Sequence, residues 1–99
     1  MARIFLKKHI QGEKIVIAAA DEEIIGQEFQ EENRKIFVSD LFYRGDLLEI
    51  EEALKILKSA RNINLVGQNI VSAAVEARII HEFAIITVQG VPHALKFIL

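Results

Sequence analysis

Apolar positions alternate with polar ones near both ends of the chain and fall at helical spacing through its middle. Arg3-Ile4-Phe5-Leu6-Lys7 reads as a first strand, His9-Ile10-Gln11-Gly12 as a turn and Lys14 to Ala20 as a second strand, a hairpin at the start of the chain. Its second arm, Ile15-Val16-Ile17-Ala18-Ala19-Ala20, is apolar on both faces, which places it centrally in a sheet or under a subunit contact. Asp21-Glu22-Glu23-Ile24-Ile25-Gly26 has the form of one helical turn, capped by Asp21 and ended by Gly26. After a polar bend through Glu31-Glu32-Asn33-Arg34, Lys35-Ile36-Phe37-Val38-Ser39 alternates with period two and puts Ile36 and Val38 on one face. Asp40 to Asp46 then reads as a connecting loop.

In the middle of the chain, Ile50, Ala53, Leu54, Leu57 and Ala60 form one apolar stripe at helical spacing. Glu49, Glu51 and Glu52 open this helix and Lys55, Lys58 and Arg61 close it, in the sense that suits the helix dipole; Asp46 with Glu49 has capping-box spacing, and a start near Leu48 is the alternative. A second helix is expected from Asn64 as N-cap, with Val66, Ile70, Ala73, Ala77 and Ile80 along its seam. Gly67 in its first turn costs about 1 kcal/mol against Ala and so calls for a packing or binding reason.

The run from Phe83 to Leu99 is two β-rich stretches around Gly90-Val91-Pro92, with His93 just after the rigid corner; Ile86 and Val88, then Leu95, Phe97 and Leu99, alternate as strands do. This run is expected in one sheet with the N-terminal strands. The order is then β-β-β-α-α-β-β, which predicts an α+β domain: a mostly antiparallel sheet with two consecutive helices packed on one face.

Composition narrows the setting. At 99 residues, with 52% hydrophobic content, the chain has the size of a single domain, 1–99, with one core. It has no apolar run of the roughly 18 residues that span a bilayer, and Lys7-Lys8 follow the Met1-Ala2-Arg3-Ile4 start too soon for a signal peptide, so a cytoplasmic location is expected. With no Cys, disulfides and thiolate metal sites are excluded. A net charge of −2 removes the bulk electrostatic argument for nucleic-acid binding and leaves only a local basic face. Sixteen Ile with no Cys, no Trp and one Met lean towards a thermophilic source.

Candidate chemistry is sparse, and each group has a plain structural use beside its functional one. His93 is a candidate general base or ligand, or else hydrogen-bonds a neighbouring loop. His9, His81 and His93 have no metal-ligand spacing, and neither a metal nor a cofactor is expected. Asp21, Glu22 and Glu23 would bind a cation or form a solvated turn; Lys7-Lys8-His9 would meet phosphate or protect a sheet edge. The helix start from Asn64 to Gly67, with Arg61 nearby, is a candidate anion site. Phe42-Tyr43-Arg44 is a stacking and cation group or an anchor of its loop to the core.

Ala20-Asp21-Glu22-Glu23-Ile24-Ile25-Gly26, Phe42-Tyr43-Arg44-Gly45, Asn64-Leu65-Val66-Gly67 and above all Gly90-Val91-Pro92-His93-Ala94 occur in an order that resembles the small archaeal family known as domain of unknown function 424. The resemblance implies an archaeal cytoplasmic α+β protein with no established activity, in a family loosely tied to neighbours of translation-initiation genes. The chain departs from the family pattern in having Ala19 and Ala20, with no Cys before the acidic run, so it offers no thiol there. Three function classes follow: a binding or adaptor module, translation-associated, acting through Tyr43, Arg44 and His93; a small enzyme using His93 with Asp21 or another carboxylate; and a structural homo-oligomer formed through Ile24-Ile25 or Ile79-Ile80. The first is preferred. The loops carrying Tyr43, Arg44 and His93 are expected to share one surface for a macromolecule, protein slightly before RNA because the chain is acidic.

Overall fold

The computed structural model describes residues 2–98. The chain folds as an α+β protein whose main sheet is mostly antiparallel, with six strands in the order β5-β1-β2-β6-β8-β7. These are β1 (Arg3–Gln11), β2 (Lys14–Asp21), β5 (Asp46–Glu49), β6 (Asn62–Val66), β7 (Ile85–Val88) and β8 (Val91–Lys96), with a separate hairpin of β3 (Glu28–Glu31) and β4 (Arg34–Phe37). Among the described residues three α-helices complete it, the single turn α1 (Asp40–Tyr43), then α2 (Ile50–Lys58) and α3 (Gln68–Glu76), with short 3-10 turns at Glu22–Ile24, where one helical turn was expected, and Glu82–Ala84. Leu99, expected on the strand face with Leu95 and Phe97, lies outside the described residues.

The alternation of β1 and β2 sets two faces. Ile4, Leu6, Ile17 and Ala19 join Ile63, Leu65 and Ala94 under Ala53 and Leu57 of α2 and Ile70, Val71 and Ala74 of α3. Ala18, Ala20, Val66 and Val88 point to the other face, where Ile36, Val38 and Tyr43 from the β3–β4 hairpin and α1 cover them. The doubly apolar β2 is central, between β1 and β6, so both of its faces need apolar residues.

Several expectations are corrected by this arrangement. The two helices are separated in sequence by β6, which runs parallel to β2, so Asn64 is a strand residue and the N-cap of α3 is Gly67. Val66 accordingly belongs to the sheet and not to a helix seam. Asp46 opens β5, which pairs with β1; α2 is capped by Glu49, whose side chain and that of Glu52 form the reciprocal capping box. The polar bend through Glu31 to Arg34 is the turn of the β3–β4 hairpin, preceded by the unexpected strand β3, and the loop after Ser39 holds α1, with the Ser39 Oγ accepting from the Phe42 amide. The first turn is at Gly12, since His9–Gln11 continue β1. The C-terminal strands do join the N-terminal ones in one sheet, with β6 between β8 and β2. Ile79 and Ile80 are buried, and Ile24 and Ile25, partly exposed, pack against the hairpin-covered core, so each pair has a use inside the chain.

Candidate functional site

On the hairpin-covered face, three of the sequence-selected residues converge. Asn64 of β6 faces the same side as Val66, two residues on, because β side chains alternate. Its Oδ1 accepts the Tyr43 hydroxyl at 2.7 Å and lies 3.0 Å from the His93 Nε2. An amide oxygen can only accept, so the imidazole carries its proton on Nε2 and donates, leaving Nδ1 unprotonated in the neutral ring. Tyr43 reaches Asn64 because α1 lies over β1 and β2 and its C-terminal end is tied down. The Lys7 Nζ donates to the Leu41 carbonyl at 2.7 Å, and the His9 Nε2 donates to the Phe42 carbonyl at 2.8 Å while its ring stacks on Phe42 at 4.5 Å. Lys7 and His9 thus cap a helix end, and Lys8 points to the other face.

Burial decides what each group can do. Tyr43 is 5% exposed, and burial lifts its hydroxyl to about 12, so it is a proton donor to Asn64 and no surface stacking group. His93 is half-buried, and burial lowers its imidazole below the ordinary value. Its hydrogen bond goes to an amide, and among the described residues no carboxylate pairs with it. Arg44 leaves this cluster: its Nε donates to the Asp40 Oδ1 at 2.8 Å and its guanidinium lies 4.8 Å from the centre of the Phe5 ring. Gly45 fixes that exit, since a Cβ there would strike the Leu6 carbonyl of β1.

The remaining candidates are held apart. At Gly67, with φ of 119°, a Cβ would sit 2.7 Å from the Asp21 Oδ2, and that carboxylate takes the place an external anion would fill. Asp21 is 2% exposed; its Oδ2 accepts from the Asn69 amide at 2.8 Å and its Oδ1 from the Ile70 amide at 2.9 Å, so it caps α3 and not its own turn. Burial raises its carboxyl, the two amides oppose this and Glu23 adds to it. Glu22 pairs with Arg3, and Glu23 accepts from the Asn69 side chain. His81 caps the turn Glu82–Ala84 by accepting from the Phe83 amide. Among the described residues no group of His, Asp or Glu is placed to hold a metal ion.

With this geometry in place, the comparisons give the chain its relatives. The model of the family described as "Protein of unknown function (DUF424)" matches residues 8–99. The chain belongs to this family. It is also similar to a solved structure described as an uncharacterized conserved protein from Methanopyrus kandleri, with 31% identity and a TM-score of 0.76, over 99% of this chain and 93% of that one. No curated protein matches the chain. The solved structure gives the fold a second example, and neither comparison assigns an activity.

Sequence reading missed the Asp21 contact with α3, which spans 48 and 49 residues and leaves no local trace. It also missed three exposed apolar residues beside His93. Ile86 is its register partner across β7 and β8, Leu95 follows it at the i+2 position of the same face, and Phe97 comes just past the end of β8. Their alternation was visible, but their exposure depends on where the hairpin and α1 end. No helix of the described chain is long and apolar enough to cross a membrane.

Proposed function

We propose that the protein is a small binding module that engages a protein partner on the strip of sheet beside His93. The observation supporting this reading is that Ile86 and Leu95, on the His93 face, and Phe97, just past the end of β8, are 52%, 41% and 64% exposed near a polar cluster whose members already satisfy one another. Side chains fixed on strands lose little freedom on binding, and a partner covering them would bury apolar area with a directional contact at the His93 Nδ1. A protein suits this strip better than RNA, because an RNA backbone asks for a line of cations and the strip is apolar. Acid–base catalysis is less well supported, since an amide, unlike a carboxylate, cannot stabilise an imidazolium by charge. A cytoplasmic, translation-associated setting belongs to this proposal on the family resemblance alone.

The test is affinity purification from cells of the source organism with a nuclease-treated control, comparing the native chain with the double variant Leu95→Ser, Phe97→Ser. The expected result is a nuclease-resistant partner that the variant loses while its melting temperature stays near that of the native chain. A folded variant that keeps every partner removes this surface from consideration.

A further inference from the structure

The opposite, helix-covered face carries a second surface, distinct from the His93 strip. α2 stops at Lys58 while β1 and β2 run on to their hairpin turn, so the far end of this face has no helix above it. Ile10 and its register partner Ile15 are 66% and 44% exposed there, with Ile56 of α2 at 40% and Ile98 at 44%. Ile15, Ile17, Ile56, Ala60 and Ile98 line a half-open trough of about 770 Å³, within the range of ligand-binding clefts. Its lining holds Lys8 and Lys14 with the single carboxylate of Glu13, two lysines to one acid in a chain whose net charge is −2. The ion pairs among the described residues are Arg3–Glu22, Lys35–Glu28 and Arg44–Asp40, so Lys8 and Lys14 hold none.

The chemistry of the lining selects the occupant. The floor has no aromatic ring, so nucleotide bases have nothing on which to stack. A second copy docking by a twofold axis would set one basic rim against the other. A lone hydrocarbon chain would lie half in water, because the trough is open along one side. A polypeptide with an apolar stripe and flanking carboxylates meets each condition, closing the open side with its own backbone. We propose that this trough docks an acidic amphipathic segment of a partner protein, with its apolar side chains among the isoleucines and its carboxylates facing Lys8 and Lys14.

The test uses the whole chain as bait for a displayed library of short amphipathic peptides. One face is fixed as Leu and Ile, and the other is free to be Glu, Lys or Ser. Enriched peptides should carry Glu on the free face and lose affinity at least about tenfold to the variant Ile15→Ser, Ile56→Ser. Because that variant loses apolar surface and risks its fold, Lys8→Glu with Lys14→Glu supplies an independent readout: both lysines lack ion pairs, and the reversal should move the selection from Glu to Lys. Absence of enrichment, enrichment without an acidic bias, or Glu peptides that bind both variants like the native chain would each overturn the proposal. A concentration-dependent dimer in sedimentation that the isoleucine variant abolishes would overturn it too, by giving the trough to a second copy.

Discussion

On the helix-covered face the buried polar group is Asp21, 2% exposed, with each carboxylate oxygen on an amide of α3. On the opposite face the polar group to set against it is His93, half-buried, with Nε2 on Asn64 and Nδ1 without a partner among the described residues. The first arrangement is closed: two acceptors meet two helix-start amides, and Gly67 leaves no room for another group. The second has one group to spare beside exposed apolar residues. A carboxylate sealed at a helix start acts as an internal anion and serves the fold, whereas an imidazole with an open nitrogen at the edge of a cover can still meet a ligand.

The largest way to break this contrast is to remove an element that serves both faces. β8 contributes Ala94 to the helix-covered core and His93 to the other face, and it lies between β6 and β7. A chain ending at Gly90 is therefore expected to lose its cooperative melt and its native circular dichroism, because β7 loses its partner strand and β6 keeps only β2. A truncated chain that still melts cooperatively would show that the sheet does not depend on β8.

The next effect is confined to one face. Asp21→Ala leaves two buried amides of α3 without an acceptor, and the expected cost is about 2–4 kcal/mol in chemical denaturation. Asp21→Asn, which keeps one acceptor and no buried charge, should cost less. Equal losses for the two variants would mean that the charge, and not the acceptor, holds α3.

How much of this was legible depends on the range of each interaction. The α2 stripe, the centrality of β2 and the bend at Gly90 are set by neighbours a few residues apart, and all appear in the fold. β6 was hidden because Asn62 and Asn64 resemble helix caps. Their amides instead serve the sheet: the Asn62 Nδ2 donates to the Ile15 carbonyl at 3.3 Å, and Asn64 receives Tyr43. β5 was hidden because Leu47 and Leu48, in a four-residue strand running directly into α2, do not distinguish strand from helix. The loops of Tyr43 and His93 were expected to share one surface; the two side chains converge instead on Asn64, with Tyr43 buried, and the divergence of Arg44 turns on one backbone approach, Gly45 against Leu6, that no local pattern encodes.

The smallest effect concerns His93 itself and sharpens the contrast most. Burial lowers its pKa from the ordinary 6.5, so the folded protein favours the neutral ring. A group with a depressed folded pKa contributes stability that is present above its unfolded pKa and is lost as pH falls through 6.5 towards the folded value. Asp21 has the opposite sign: its raised pKa means that its contribution is present below 3.8 and is lost as pH rises through the folded value. A loss of melting temperature on going from pH 8 to pH 5 can therefore come from His93 but not from Asp21. His93→Gln keeps a donor for the Asn64 oxygen without a titrating ring, so its melting temperature should fall less over that interval than that of the native chain. If the two profiles superpose, the imidazole is solvated in both states, and the half-buried setting of the strip beside Leu95 and Phe97 does not hold in solution.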